Sequence, residues 1–180
     1  MKRTILSLAL VLATILTFAQ KKTTTSAIVN FDAATSIDAL PKAENKTVIA
    51  ALDTKSGGIA FEVNIKNFAF TNPRIQEHFN NAGWMDSDKY PTATFKGNIT
   101  NLSAVKFYKD GTYPAEVSGD LTIHGVSQAV KTTGTIVVKG TAITANADFS
   151  VKLADYNISG AAIGAGKVSK EPKISVSAVF

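Results

Sequence analysis

The chain has 180 residues, no cysteine and a formal net charge of +5 at pH 7. Without cysteine there are no disulfide staples, no thiolate metal ligands and no thiol nucleophile, so stability must come from the core. The lysines are scattered, with no basic stripe and no interleaved aromatics, which excludes nucleic acid as a partner.

Lys2 and Arg3 precede an uninterrupted, weakly polar to apolar run from Ile5 to Phe18, and Thr17-Phe18-Ala19 offers a small-residue cleavage site before Gln20. This pattern predicts a secretory signal peptide over residues 1–19, cut near Ala19, and a periplasmic or secreted location. A membrane-spanning helix needs about 20 apolar residues, so the run is short for one, and no integral span is expected after cleavage. The absence of cysteine near the cut excludes lipoprotein anchoring. Residues 20–180 suit a single domain with a sizeable core. Their charge falls to +3 once Lys2 and Arg3 leave.

Beyond a polar Lys/Thr spacer at 21–25, apolar and polar residues alternate with the period of strands. Strands are expected near 26–32, 46–53, 58–67, 92–103, 112–123, 128–138, 141–153 and 172–180. Gly-containing turns separate several of them: Ser56-Gly57-Gly58, Asp110-Gly111, His124-Gly125 and Lys139-Gly140. Short turns between strands imply antiparallel neighbours, closed into a barrel or stacked as a sandwich. The presumed inner faces mix large side chains (Phe61, Phe95, Phe149) with many small ones (Ala93, Gly97, Ala115, Gly119, Ala145). Small inward residues leave room, and an eight-stranded barrel is wide enough for one small ligand. They would equally let a second sheet approach.

Residues 74–91, RIQEHFNNAGWMDSDKYP, break the alternation. Asn72 suits an N-cap and Pro73 the first helical position. Ile75, His78, Phe79 and Ala82 then follow helical spacing, Gly83 is a plausible stop, and Pro91 turns the chain back to extended structure. A helix over 73–82 and a turn around 85–89 follow.

No catalytic constellation emerges. His78 and His124 are the only histidines and cannot alone make a zinc site, so no metal is expected. Packing or backbone hydrogen bonding is the expected role of both, with ligand contact the alternative, chiefly for His78. Asp86 and Asp88 sit two apart in a polar turn rather than across a sugar cleft. Gly125-Val126-Ser127-Gln128-Ala129 lacks the second glycine of a nucleophile elbow. GAAIGAGK at 160–167 has neither the glycine spacing nor the Ser/Thr of a phosphate loop, and reads as a flexible connection. Tyr156 and Ile158 are expected to cap one barrel end or line its mouth. An apolar interior with a helical plug remains, which is the description of a binding protein for an apolar molecule. No cofactor is expected.

Several stretches resemble the YceI-like family of exported, lipocalin-like barrels: Glu77-His78-Phe79-Asn80, continuing through Met85 to Gly97 (MDSDKYPTATFKG); Gly119 to Ser127 (GDLTIHGVS); and Phe149 to Ile158 (FSVKLADYNI). The resemblance covers the chain from about residue 27 onward. It implies an all-β fold, an antiparallel eight-stranded barrel with a short helical connection near 73–89. It also implies a long apolar chain held in the lumen, an isoprenoid or other long-chain lipid. The expected ligand-binding wall is Phe61, Val63, Ile65, Phe95, Leu121, Ile123, Phe149 and Val151, with Ile75 and Phe79 closing one side. Arg74, in the first helical turn, and His78 are the candidates for headgroup or ligand contact. The alternative is a structural or stress-related envelope protein whose barrel is filled by its own side chains. Homodimerisation is left open. Asn81-Ala82-Gly83-Trp84 and a shortened Ile28–Asn45 region depart from the family pattern.

Overall fold

The computed structural model describes residues 21–180, so the expected signal peptide lies outside the described residues. Nine strands are found there: β1 (Lys21–Asp32), β2 (Lys42–Asp53), β3 (Gly58–Asn64), β4 (Ala69–Phe70), β5 (Thr92–Ile99), β6 (Gly111–Ile123), β7 (Val126–Lys139), β8 (Ala142–Ser150) and β9 (Lys173–Val179). Eight of them close a ring in the order β1-β2-β3-β5-β6-β7-β8-β9, with β9 returning to β1. Every pairing is antiparallel, and β4 is a two-residue appendage on β2. The sandwich left open by the residue pattern is therefore excluded.

Several boundaries differ from expectation for identifiable reasons. The Lys/Thr spacer at 21–25 is the start of β1, paired with Ala50–Asp53 of β2. Its two faces are both polar, so no alternation betrays it. The third strand stops at Asn64, because Ile65–Asn67 forms a 3-10 turn capped by the Asn64 side chain, which accepts from the Lys66 N–H at 3.0 Å. The eighth stops at Ser150, and Leu153–Tyr156 is another 3-10 turn. The GAAIGAGK connection contains a single helical turn, Ala161–Gly164.

The long helix, α1 (Pro73–Asn80), starts as predicted: the Asn72 side chain accepts from the Arg74 N–H at 3.0 Å, and Pro73 sits in the first turn. It ends at Asn80 rather than at 82. The chain doubles back instead of running on to Gly83, and the Met85 and Ser87 N–H groups, each 3.0 Å from their acceptors, donate to the carbonyls of Phe79 and Asn80. These bonds satisfy the last helical carbonyls and turn Trp84 and Met85 inward, where both are buried. Ala82, expected on the buried face, is exposed as a result.

Two clusters fill the two ends of the barrel. One is aromatic: Phe31, Phe68, Phe70, Phe79 and Trp84, with Phe79 only 1% exposed. The other is aliphatic: Leu52, Ile59, Ile99, Val105, Ile136, Val138 and Ile143. Phe61, Phe95 and Phe180 touch both. No helix among the described residues is long and apolar enough to cross a membrane.

Candidate functional site

Between the two clusters lies a cavity of about 410 Å³. That is within the range of small-molecule sites, which are concave and mostly apolar. Phe61, Val63, Ile65, Phe79, Phe95, Leu121, Ile123, Phe149 and Val151 all line it. Strand alternation carries Phe61, Val63, Phe95, Leu121, Ile123 and Phe149 to the inner face, Ile65, Phe79 and Val151 come from the turn after β3, from α1 and from the residue after β8, and the ring brings them together. Many inner-wall residues, Phe61, Val63, Phe149 and Ile174 among them, are only half-buried although they point inward, because they border this open space.

The room is kept by glycine. Gly97 on β5 faces Gly119 on β6 across the ladder, and the Phe95 ring lies over the pair. A Cβ on Gly97 would stand 2.7 Å from that ring and 2.5 Å from the Ser118 carbonyl oxygen; one on Gly119 would stand 2.8 Å from the ring. The absent side chains let Phe95 lie flat on the wall, so it lines the cavity rather than filling it.

The helical connection supplies the lid. Phe79 sits with its ring centroid 4.9 Å from Phe70, 5.3 Å from Trp84, 5.6 Å from Phe31 and 5.7 Å from Phe68. These tilted and edge-on arrangements are the favoured geometries of aromatic pairs. Met85 and Phe79 both line the cavity roof. Gln76 ties α1 to β4 by accepting from the Phe70 N–H at 3.3 Å. The end of the connection docks through Tyr90, whose ring lies 4.3 Å from His124. Tyr90 also packs on Gly125, where a Cβ would come within 2.6 Å of its ring. His124 and Gly125, both at positive φ, form the two-residue hairpin turn between β6 and β7.

His124 has a structural occupation of the kind its sequence context suggests: its Nδ1 lies 3.3 Å from the Tyr156 carbonyl oxygen, which can only accept. Tyr156 and Ile158 are both buried, and Ile158 reaches the cavity. Burial, then the adjacent Asp155 carboxylate, pushes the Tyr156 phenol above its ordinary pKa. Asp88 is exposed and ion-paired to Lys66.

Three of the predicted contacts lie elsewhere. Ile75 is half-buried and packs against the aromatic cluster without lining the cavity. Arg74 and His78 are exposed on α1 and do not line it either. Helical spacing groups His78 with Phe79, but adjacent residues on a helix point about 100° apart, and only one of the two can face the lumen. Conversely, Val29, Phe31, Met85, Val130 and Lys131 line the cavity without having been singled out as contacts. The alternation of β1 and β7 marks Val29, Phe31 and Val130 as inner-face residues. Nothing local marks Met85, which is turned inward by the backbone bonds after α1.

A closed antiparallel barrel around an apolar lumen, with a helical lid over one end, is the architecture of lipocalin-like binding proteins. The family model for the YceI-like domain matches residues 12–180, and the chain belongs to that family. Among solved structures, the fold is similar to a polyisoprenoid binding domain from Saccharophagus degradans implicated in plant cell wall breakdown. That likeness has a TM-score of 0.74 at 13% identity, covering 89% of this chain and 97% of that one. It is also similar to BcnA of Burkholderia cenocepacia, with a TM-score of 0.70 at 19% identity over 86% and 96% of the two chains. The YceI protein of Campylobacter jejuni is more distant, at a TM-score of 0.52 and 21% identity over 74% and 80%. No curated protein matches the chain.

Proposed function

We propose that this is an exported, single-domain binding protein, comprising residues 20–180 after signal cleavage, that holds an isoprenoid or other long-chain lipid reversibly in the barrel. The observation that carries the reading is the cavity: about 410 Å³, walled by aliphatic and aromatic side chains with a single charged residue, in a barrel whose ends are packed. The solved relative from Saccharophagus degradans, described as a polyisoprenoid binding domain, supports the same ligand class. Each methylene taken from water contributes about 0.8 kcal/mol before the costs of ordering the chain. Such binding needs no catalytic group, and we read the protein as a carrier or store rather than an enzyme. The alternative, a barrel filled by its own side chains, does not fit an interior holding this much open space.

The test is organic extraction of protein purified from its native periplasm, followed by mass spectrometry. Stoichiometric recovery of a polyprenyl or other long-chain lipid is expected. Repeated absence of bound lipid, together with no uptake of polyprenyl compounds in vitro, would overturn the proposal.

A further inference from the structure

The polar chemistry of the cavity wall is gathered at one seam. Apart from Thr94 on β5, every charged or uncharged polar side chain bordering the cavity belongs to β7 or β8: Lys131, Thr132, Thr135, Asn146 and Ser150. Lys131 is the single charged residue among them. Several of these alternate with the inward-facing positions and belong to the outer face of the sheet. They border the interior because the wall is open beside them.

The strand pairing shows that opening. The β7–β8 ladder runs from Lys139↔Ala142 to Gly134↔Ala147 and stops. Past that point β7 continues to Val126 paired with β6, and β8 continues to Ser150 paired with β9, but neither pairs with the other. The gap is spanned again farther along, where the Gln128 Nε2 donates to the Asp155 carbonyl at 2.9 Å and His124 reaches the carbonyl of Tyr156. A window thus stands in the barrel wall, framed by the last ladder pair on one side and by the Leu153–Tyr156 turn on the other.

We propose that the chain ligand enters and leaves through this window, and that it keeps an anionic headgroup there against Lys131. The inference rests on the lipid-binding reading and deepens it. A charged headgroup cannot follow its chain into an apolar lumen, because burial of an unpaired ion costs far more than chain contacts return. Both barrel ends are packed, by the aromatic cluster at one and the aliphatic cluster at the other. The window offers what a phosphate or carboxylate needs: water, unpaired strand N–H groups and an uncommitted ammonium. The Lys131 side chain is exposed and has no ion pair or hydrogen bond among the described residues. The flanking charges are Glu116 and Asp120 on β6, which stand diagonally on either side of Lys131 without an ion pair to it, Asp148 on β8, Lys173 across the ladder from Ser150, and Lys152, which is 3.8 Å from Asp155. Arg74, the headgroup candidate of the sequence, borders no part of the cavity.

The probes are a polyprenyl monophosphate and the neutral polyprenol of the same chain length. The absence of native cysteine allows a single bulky maleimide adduct to be placed at Thr133→Cys, on the window rim, or at Glu62→Cys, on the outer face of β3, as control. The rim adduct should slow uptake of both probes about tenfold or more, while the control adduct leaves the rate unchanged. Equal rates for the two adducts would overturn the window. In the unlabelled protein, Lys131→Glu should raise the Kd of the monophosphate about tenfold and leave that of the polyprenol unchanged, with Lys131→Arg retaining parental affinity, as expected for a charge-assisted contact. Equal changes for both probes, or none, would overturn the headgroup assignment. Failure of the parent protein to take up either probe would instead remove the lipid-binding reading itself.

Discussion

At the end of the barrel where Phe31, Phe68, Phe70, Phe79 and Trp84 meet, closure is achieved by an inserted segment, α1 and the turn after it, laid across the strands. At the other end, Leu52, Ile59, Ile136, Val138 and Ile143 come from the strands themselves, and closure needs only hairpins and the 3-10 turn at Leu102–Ala104. The first end is a lid that binds the wall through a few large rings. The second is the wall continued until its side chains meet. A lid of this kind can be loosened without undoing the ladder, whereas the aliphatic end is inseparable from it.

The most severe way to separate the two is truncation at each. Phe79→Ala should cost about 3–5 kcal/mol by urea denaturation and should also accelerate release of a bound polyprenyl probe, since Phe79 both packs the lid and lines the cavity. Leu52→Ala, equally buried but not bordering the cavity, should cost about 2–5 kcal/mol and leave the release rate unchanged. Faster release in both, or in neither, would mean that the lid is not an independent unit.

Acid offers a milder comparison. Asp53 caps the β2–β3 turn at the aliphatic end, accepting from the Lys55 and Ser56 N–H groups, which hold its carboxyl below the ordinary value. At the aromatic end burial raises the pKa of Asp32, but the hydrogen bond from Lys42 and that from the Ala34 N–H outweigh it and leave the group lowered. In both, the folded state prefers the ionised form. Its contribution is present above the usual carboxylate range and is lost as pH falls through the lowered folded-state values. Denaturation midpoints should therefore drop modestly between pH 6 and pH 3, and Asp53→Asn and Asp32→Asn should each flatten part of that slope. An unchanged slope in both variants would show that other carboxylates control the acid response.

The smallest expected effect concerns Trp84. Its indole N–H is buried and has no acceptor among the described residues. Trp84→Phe keeps a ring against Phe31 and Phe79 while removing that uncompensated donor. Stability should change by no more than about 1 kcal/mol, because the lost ring area is offset by the relieved desolvation penalty. A loss above about 3 kcal/mol in thermal or urea unfolding would mean that the full indole is needed to hold the lid.

How much of this was visible in the sequence depends on how local the determinant is. The inward faces of β3, β5, β6 and β8 were legible because a period of two survives any tertiary context, and the start of α1 was legible because Asn72 and Pro73 act within one turn. The end of α1 was not, since it is set by Met85 and Ser87 reaching back to the helix rather than by Gly83. Neither was the β1 start, where Lys and Thr occupy both faces. The window escaped notice for a deeper reason: alternation says which way a residue faces but not which strand stands beside it. Exposure of Arg74 and His78 follows from the rotation of α1 against β4, which the Gln76 contact fixes and helical spacing alone does not.

The position of β9 has a consequence in time. It is the strand that joins β1 to β8, with Ile28 set opposite Ser177 and Asp32 opposite Lys173. Until it inserts, β1 and β8 each keep a bare edge and the ring stays open, however well the intervening hairpins have formed. Contacts that span nearly the whole described chain are slow to make, because loop closure must be paid for before they return anything. The six strand-to-strand neighbours along the meander can form early and locally. The barrel becomes a container only at the last step, and a lumen that closes so late passes through no sealed state before its final strand is in place.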